Sequence, residues 1–257
     1  MPFEPSGLPT GEHVVTPMLP FEVDLTLEGY TLIVFSLPPE RLQALLPPGL
    51  EPATTTLDGV ERAWLSIFLG RNVLRRIGGW PALPFRLNQV NYRAYVRLRE
   101  GHGLVILRSV VGFERLPRAL ALPLELSARA FFKYPVEFAE FHFEPTFSEK
   151  HLVRVAAEVP GELSVSVEST GLEPETPGFA LPKEAIAWLA DVPEAYFPLG
   201  HADYRQLLSP HPPLAPTGGV LLRGKFDWLA EKLGDARLLA HPTSIYMQAG
   251  PPFPVYV

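Results

Sequence analysis

Residues 85–113 constrain this chain more than any other stretch. From 85 to 99 the side chains alternate: Gln89, Asn91, Arg93, Tyr95 and Arg97 fall on one side, and Val90, Tyr92, Ala94, Val96 and Leu98 on the other. Successive side chains of a strand point to opposite faces, so this period of two predicts a long β-strand with one polar and one apolar face. Glu100-Gly101-His102-Gly103 carries the glycines of a tight turn, and residues 104–113 return as an apolar partner. The segment is therefore a hairpin. Its polar stripe faces either water or an interior site.

The rest of the chain follows the same style. Residues 29–37 (GYTLIVFSL) and 62–69 read as strands, the second with Ala63, Leu65, Ile67 and Leu69 on one side and Trp64, Ser66 and Phe68 on the other. Between them Pro39 opens a short helix whose Leu42, Leu45 and Leu46 share a face, and Pro47-Pro48-Gly49 ends it. Residues 71–84 read as a loop around Gly78-Gly79. A helix is expected over 123–132, and a strand over 136–143 whose alternation slips at Ala139-Glu140, as at a bulge. Residues 151–158 and 162–168 form a second hairpin around Pro160-Gly161, and 182–190 a further helix. Late strands are expected at 219–225, 237–239 and 244–248, with a short helix over 226–233 closed by Gly234.

Strands joined by short turns, with few helices and no βαβ rhythm, predict a mainly β (α+β) antiparallel sheet and argue against a dinucleotide-binding fold. Curling that sheet into a barrel would remove its edges. No repeat and no long linker divides the chain, so one domain over 1–257 is expected, with an N-terminal arm over 1–20.

Composition removes several function classes. The chain has no cysteine, which excludes disulfides, thiolate metal sites and cysteine nucleophiles. Arginines are scattered and the net charge is −6, so nucleic acid is not an expected partner. No apolar run reaches membrane-span length, and the N-terminus lacks a basic start followed by an apolar stretch, so a cytoplasmic protein is expected. No two of the seven histidines sit at i, i+4, no His-Glu-x-x-His occurs, and no serine sits in a Gly-x-Ser-x-Gly elbow, so neither metal binding nor a serine hydrolase is indicated. Thirty prolines placed at joints, with arginine preferred to lysine, hint at a thermophilic source.

Three groups of residues carry possible chemistry. Lys133 stands among Phe131, Phe132 and Tyr134, and a lysine in apolar surroundings loses hydration, so its amine can become a nucleophile near neutral pH. The competing reading is a lysine at a helix end, with its stem on aromatic surface and its ammonium in water. Arg93, with Gln89, Asn91 and Tyr95, forms the polar stripe; if that stripe lines an interior, Arg93 can grip a carboxylate in a two-pronged fork. Arg129 and Glu137 flank the Lys133 stretch and serve either as site residues or as a structural ion pair. As a general acid or base, Glu137 would need burial to raise its pKa.

The run Pro38-Pro39-Glu40-Arg41-Leu42-Gln43-Ala44-Leu45-Leu46-Pro47-Pro48-Gly49-Leu50-Glu51-Pro52, followed by the strand with Ala63-Trp64-Leu65-Ser66-Ile67, resembles the acetoacetate decarboxylase-like superfamily. Asn88-Gln89-Val90-Asn91-Tyr92-Arg93-Ala94-Tyr95-Val96 is similar to a bacterial branch of that superfamily with an E-x-N-x-R-x-Y-V strand, in which Gln89 replaces the acid. The resemblance runs from about residue 30 to 143. It implies a cone-like antiparallel barrel with flanking helices around a pocket. In the decarboxylases a Schiff-base lysine follows a Tyr-Pro pair; Tyr134-Pro135 matches the pair, but the next two positions are Val136 and Glu137, and Lys133 precedes it. No cofactor is implied. The expectation is a small-molecule site for a carboxylate or carbonyl compound, with Gln89, Asn91, Arg93, Tyr95, Arg129 and Tyr134 in binding and Lys133 and Glu137 in any catalysis. The rivals are a Schiff-base decarboxylase or aldolase using Lys133, and a non-catalytic carrier of an apolar ligand. A homo-oligomer, with the arm packed on a neighbour, is a further possibility.

Overall fold

The computed structural model describes residues 8, 14–17, 22–77, 79–81, 86–113, 122–123, 126, 136–199, 203–208, 213–250 and 252–256. Strands dominate. The first eight are β1 Val14–Pro17, β2 Glu22–Leu37, β3 Thr54–Leu57, β4 Val60–Ile77, β5 Trp80–Pro81, β6 Arg86–Arg97, β7 His102–Phe113 and β8 Val136–Phe138. Then come β9 His142–Ser148, β10 His151–Val159, β11 Leu163–Ser169, β12 Glu194–Pro198, β13 Asp203–Leu208, β14 Thr217–Phe226, β15 Ser244–Gln248 and β16 Pro252–Tyr256. Helices are short: α1 Pro39–Gln43, α2 Pro182–Ala185 running on into a π-helical turn Ile186–Ala190, α3 Asp227–Leu233, and a 3-10 turn Ala236–Leu239.

Hydrogen bonding runs β3-β4-β6-β7-β12-β13-β16-β2-β15-β14-β11-β10-β9, and β2 also pairs with β4, so the path returns on itself. Most pairs are antiparallel; β1 with β13, β12 with β7, and β8 with β7 are parallel. This is the curled, mainly antiparallel architecture that the alternation predicted. It depends on the long strands β2, β4 and β6, whose register sets Val34, Ser66 and Arg93 in one row, and Leu32, Phe68 and Asn91 in the next.

The two faces of these strands bury different chemistry. Ile33, Phe35, Leu65, Ile67, Leu69, Val90, Tyr92, Ala94 and Val96 pack with Val155, Val165 and Val167 of the second hairpin and with Leu229 of α3. Tyr30, Leu32, Val34, Trp64, Phe68, Tyr95 and Tyr246 pack with Ala185, Leu189 and Ala190 of the α2 segment. We call these the core face and the stripe face. On the core face a buried cation stitches the sheet to β9. Arg71 Nε donates to Asn88 Oδ1 (3.1 Å) and its Nη2 to Phe143 O (2.6 Å), while Asn88 Nδ2 donates to Phe141 O (2.9 Å).

Some expectations change. Residues 71–84, expected as a loop, continue β4 to Ile77, because Val73 and Leu74 keep pairing with Thr26 and Leu25 of β2, and the chain turns only at Gly79, where φ is +82°. Residues 237–239, expected as a strand, form the 3-10 turn, capped by Asp235, whose carboxylate accepts from the Arg237 backbone N–H. The strand expected over 136–143 is broken at 139–141 into β8 and β9, where the alternation slips. Strands β12 and β13 were not foreseen. Within the expected arm, Val14–Pro17 pairs with β13 of the same chain. Most of the helix expected over 123–132 lies outside the described residues.

Arg71→Met should destabilise the protein by about 3 kcal/mol, because it strands Asn88 Oδ1 and Phe143 O without their donor. Urea denaturation at neutral pH measures this; an unchanged midpoint would contradict the stitching role.

Candidate functional site

The polar stripe of β6 lies on the stripe face, against the α2 segment. Alternation alone puts Gln89, Asn91, Arg93 and Tyr95 there, since Val90, Tyr92, Ala94 and Val96 occupy the core. The structure thus brings four of the expected site residues together.

One end of the stripe is a ladder of neutral amides. Asn72 Nδ2 donates to Gln89 Oε1 (2.6 Å), and Gln89 Nε2 donates to Asn91 Oδ1 (3.0 Å) and approaches Ser109 Oγ (3.3 Å). Ser109 Oγ donates to Asn91 Oδ1 (2.7 Å). Asn91 Oδ1 therefore accepts twice, which fixes the amide with its nitrogen turned away from the ladder. That nitrogen takes no part in the ladder and keeps its donors for another partner.

Arg93 occupies the middle. It is half-buried, and its guanidinium carbon lies 4.5 Å from the centre of the Phe68 ring, a cation–π contact that leans the side chain from β6 across β4. Three fully buried tyrosines surround this region: Tyr30, Tyr95 and Tyr246. Burial raises the pKa of each. Arg93 pulls Tyr30 and Tyr95 down but does not offset burial, and Tyr246 is pushed up to about 12. All three phenols are therefore protonated donors at neutral pH. Asp191 adds a negative charge that Tyr30 feels.

The π-helical turn covers this face and is held by its own last carbonyls. Asp191 N bonds back to Ile186 O (2.8 Å), which closes the turn and leaves the final carbonyls without helical donors. Side chains of the sheet supply them. His102 Nε2 bonds Trp188 O (2.8 Å), Tyr95 Oη donates to Leu189 O (2.5 Å), and Tyr30 Oη donates to Ala190 O (3.4 Å). Facing a carbonyl, His102 Nε2 must carry the proton. Tyr95 Oη also lies 3.2 Å from Ser66 Oγ. The Trp188 ring stacks on His102 (4.1 Å between centroids) and on Tyr95 (5.2 Å). Burial lowers the His102 pKa, against the opposing pull of the Trp188 carbonyl.

Glu137 is placed elsewhere. On β8 it pairs in register with Val110, so it projects to the core face, and its carboxylate meets Arg108 Nη2 at 2.6 Å. The same nitrogen lies 3.1 Å from Glu162, and the Arg108 guanidinium lies over Trp228 (5.2 Å). Glu137 is 59% exposed, so the burial that an acid–base role requires is absent. It belongs to an arginine–glutamate pair on the face opposite Arg93. Arg129, Lys133 and Tyr134 lie outside the described residues. The other four lysines, Lys150, Lys183, Lys225 and Lys232, are all exposed. Among the described residues no group of histidines, aspartates and glutamates is arranged to hold a metal ion.

Sequence reasoning missed Tyr30, Ser66, Tyr246 and the carbonyls of 188–190. Tyr30 and Tyr246 are single polar-tipped residues within apolar strands, a visible but weak signal. Only the β15-β2-β4-β6 register shows that they share a face with Arg93.

Glu162 gives a test of the opposite face. Burial raises its carboxyl pKa, Arg108 and Tyr92 oppose the shift, and Glu137 adds to it. The native state thus holds this proton more tightly than the unfolded chain does. The contribution of Glu162 to stability is fully present below the ordinary glutamate pKa of about 4 and is lost as pH rises through its raised value. Unfolding free energy measured across that range should fall less steeply in Glu162→Gln; an identical pH profile would refute the coupling.

No curated protein matches the sequence. Among solved structures, the fold is similar to an acetoacetate decarboxylase-like enzyme from Sphingomonas wittichii RW1, at 12% identity and TM-score 0.53, covering 91% of this chain and 89% of that one. It is similar to the acetoacetate decarboxylase of Legionella pneumophila, at 11% identity and TM-score 0.52, covering 99% and 90%. It is also similar to the enduracididine biosynthesis enzyme MppR complexed with pyruvate, at 15% identity and TM-score 0.51, covering 93% and 87%. These likenesses establish the acetoacetate decarboxylase-like fold that the sequence resemblance implied. The model of the uncharacterized conserved protein family DUF2071 matches residues 24–191, a span that holds β4, β6, β7 and the covering helix, and the chain belongs to that family.

Proposed function

We propose that the stripe face binds a small carboxylate or carbonyl compound, with Arg93 as the anion grip. One observation carries this reading: a half-buried guanidinium set among protonated phenols beneath a covering helix. Tyr30 and Tyr95 use their protons on the covering helix, so an anion here would be met by the Arg93 guanidinium and the Asn91 amide. Asn91 would donate its amide N–H groups to the same ligand. Gln89 holds Asn91 in that orientation. Tyr95, expected from the sequence to touch the ligand, spends its proton on Leu189 O and would serve by anchoring the cover. MppR, in the same fold, has been seen with pyruvate, which supports a ligand of this size and chemistry.

A covalent variant of this reading rests on Lys133. Lys133 directly precedes the Tyr134-Pro135 pair, the sequence feature shared with the Schiff-base enzymes. Lys150, Lys183, Lys225 and Lys232 are exposed, so Lys133 is the lysine this variant would use. Borohydride added with a β-keto acid should then put irreversible mass on the Lys133 peptide. A peptide of unchanged mass, with binding retained, would leave the non-covalent site alone.

Binding itself is tested by calorimetry with short carboxylates, including pyruvate, acetoacetate and their saturated counterparts. Charge-assisted hydrogen bonds contribute on the order of 1.5–3 kcal/mol, so Arg93→Gln should weaken binding roughly 10–100-fold. Wild-type protein that binds none of these acids, or an Arg93→Gln variant that binds them equally well, would overturn the proposal.

A further inference from the structure

The segment between β11 and β12 is built unlike the rest of the chain. Residues 173–193 include Pro174, Pro177, Pro182 and Pro193, which have no N–H to give to a sheet ladder. Its backbone hydrogen bonds stay local: Phe179 N to Thr176 O (3.2 Å), Glu184 N and Ala185 N to Leu181 O (3.0 and 3.3 Å), and Asp191 N to Ile186 O (2.8 Å). Among the described residues, no backbone–backbone hydrogen bond joins 173–190 to a strand of the sheet. Burial is light as well. Within 182–191 the fully buried residues are Ala185, Leu189 and Ala190, so leucine 189 is the one large apolar side chain wholly removed from water. Segments with few buried apolar contacts and no ladder bonds are the ones that open without the rest of a fold.

Side chains of the sheet hold this segment at two places. The first half is moored: Ser244 Oγ donates to Glu175 O (2.6 Å), and Phe179 packs on Trp64 (5.5 Å between ring centroids). The second half is latched at its far end, where His102, Tyr95 and Tyr30 bond the carbonyls of Trp188, Leu189 and Ala190 and the Trp188 ring stacks on His102. These latch bonds run from side chain to backbone, so releasing them breaks no bond of the β-ladder. A helical segment this short is marginal by itself in water and stays formed by being docked. The chain is exposed at Ala180 and Leu181 before it and at Pro193 after it, where backbone rotation meets least resistance.

We infer that residues 182–191 form a latched lid, which opens as a unit by releasing the Tyr30, Tyr95 and His102 bonds and uncovers the stripe face while the sheet stays folded. The lid is a property of the fold and stands whether or not Arg93 grips an acid. Tyr95 is the main latch: it is fully buried, and its bond to Leu189 O is short at 2.5 Å, against 3.4 Å for Tyr30 to Ala190 O. His102 is half-buried and shares its hold between the bond to Trp188 O and the ring stack. Removing the Tyr95 hydroxyl takes that donor from a carbonyl inside the fold and raises the open population.

Native-state hydrogen exchange on the whole chain, read by mass spectrometry over a series of low urea concentrations, tests this. Peptides spanning 183–191 should exchange through an opening that hardly responds to urea. Peptides of β2, β4 and β6 should exchange later, through an unfolding that responds steeply. Tyr95→Phe should speed exchange of the lid on the order of tenfold while the strands keep their wild-type exchange. His102→Phe keeps a ring under Trp188 but removes the bond, and should act in the same direction more weakly. A lid that exchanges in step with β4, with the same urea dependence, overturns the inference. So do variants that leave lid exchange as in the wild type, or that speed lid and strands equally. The acid-binding reading fails separately. If the free protein shows the opening but binds no acid, the carboxylate site fails and the lid stands; if acids bind while the lid exchanges only with the strands, the lid fails and the site stands.

Discussion

Strand register between β2, β4 and β6 is the constraint from which the rest of the structure follows. These strands are buried on both faces, and the faces differ in kind. A slip of one residue in β6 would turn Val90, Tyr92 and Ala94 toward the α2 segment and drive Asn91 and Arg93 into the packing with Val155, Val165 and Val167. An arginine moved among branched aliphatic residues would find no partner there, at a cost of several kcal/mol. The alternation in β6 is thus a strong statement of register, and the same register delivers Tyr30, Ser66 and Tyr246 to Arg93.

Because the stripe face is buried too, its polar groups must be satisfied without water. The solution divides them by role. The amides of Asn72, Gln89 and Asn91 and the Ser109 hydroxyl bond one another along the ladder. His102, Tyr95 and Tyr30 satisfy the carbonyls that a π-helical end cannot, so each sheet donor answers a helix acceptor. This exchange keeps a short helix docked where its own length would never hold it. It also fixes the roof of the site from residues that the sequence shows only as scattered aromatics.

The long strands, the hairpins and the antiparallel class were legible because a period of two sustained over ten or more residues fits a strand and little else. The four stripe residues were legible for the same reason. What escaped was non-local. Residues 71–77 carry three arginines and an asparagine, which read as loop, yet they pair with β2, where Leu74 meets Leu25 and Val73 is buried opposite Thr26. Glu137 looked like a pocket residue by proximity to Tyr134-Pro135. Its parallel register with Val110 sends it to the other face. Tyr246 is separated from Arg93 by more than half the chain, and no local pattern links them. Arg237 to Leu239 reads apolar enough for a strand, but Asp235 caps it into a turn.

Arg93 and Arg108 show how one sheet uses the same residue type in two ways. Residue 93 of β6 pairs with Ile106 of β7, two residues from Arg108, yet the guanidinium groups lie on opposite faces. Arg108 is bound by two carboxylates, at 2.6 and 3.1 Å, and stacks on Trp228; its charge is consumed in joining β8 to the β10–β11 hairpin. Arg93 sits on an aromatic ring beside phenols that burial keeps protonated. That difference in neighbours separates the two arginines: Arg108 joins elements of the core face, and Arg93 leans across the sheet beneath the covering helix.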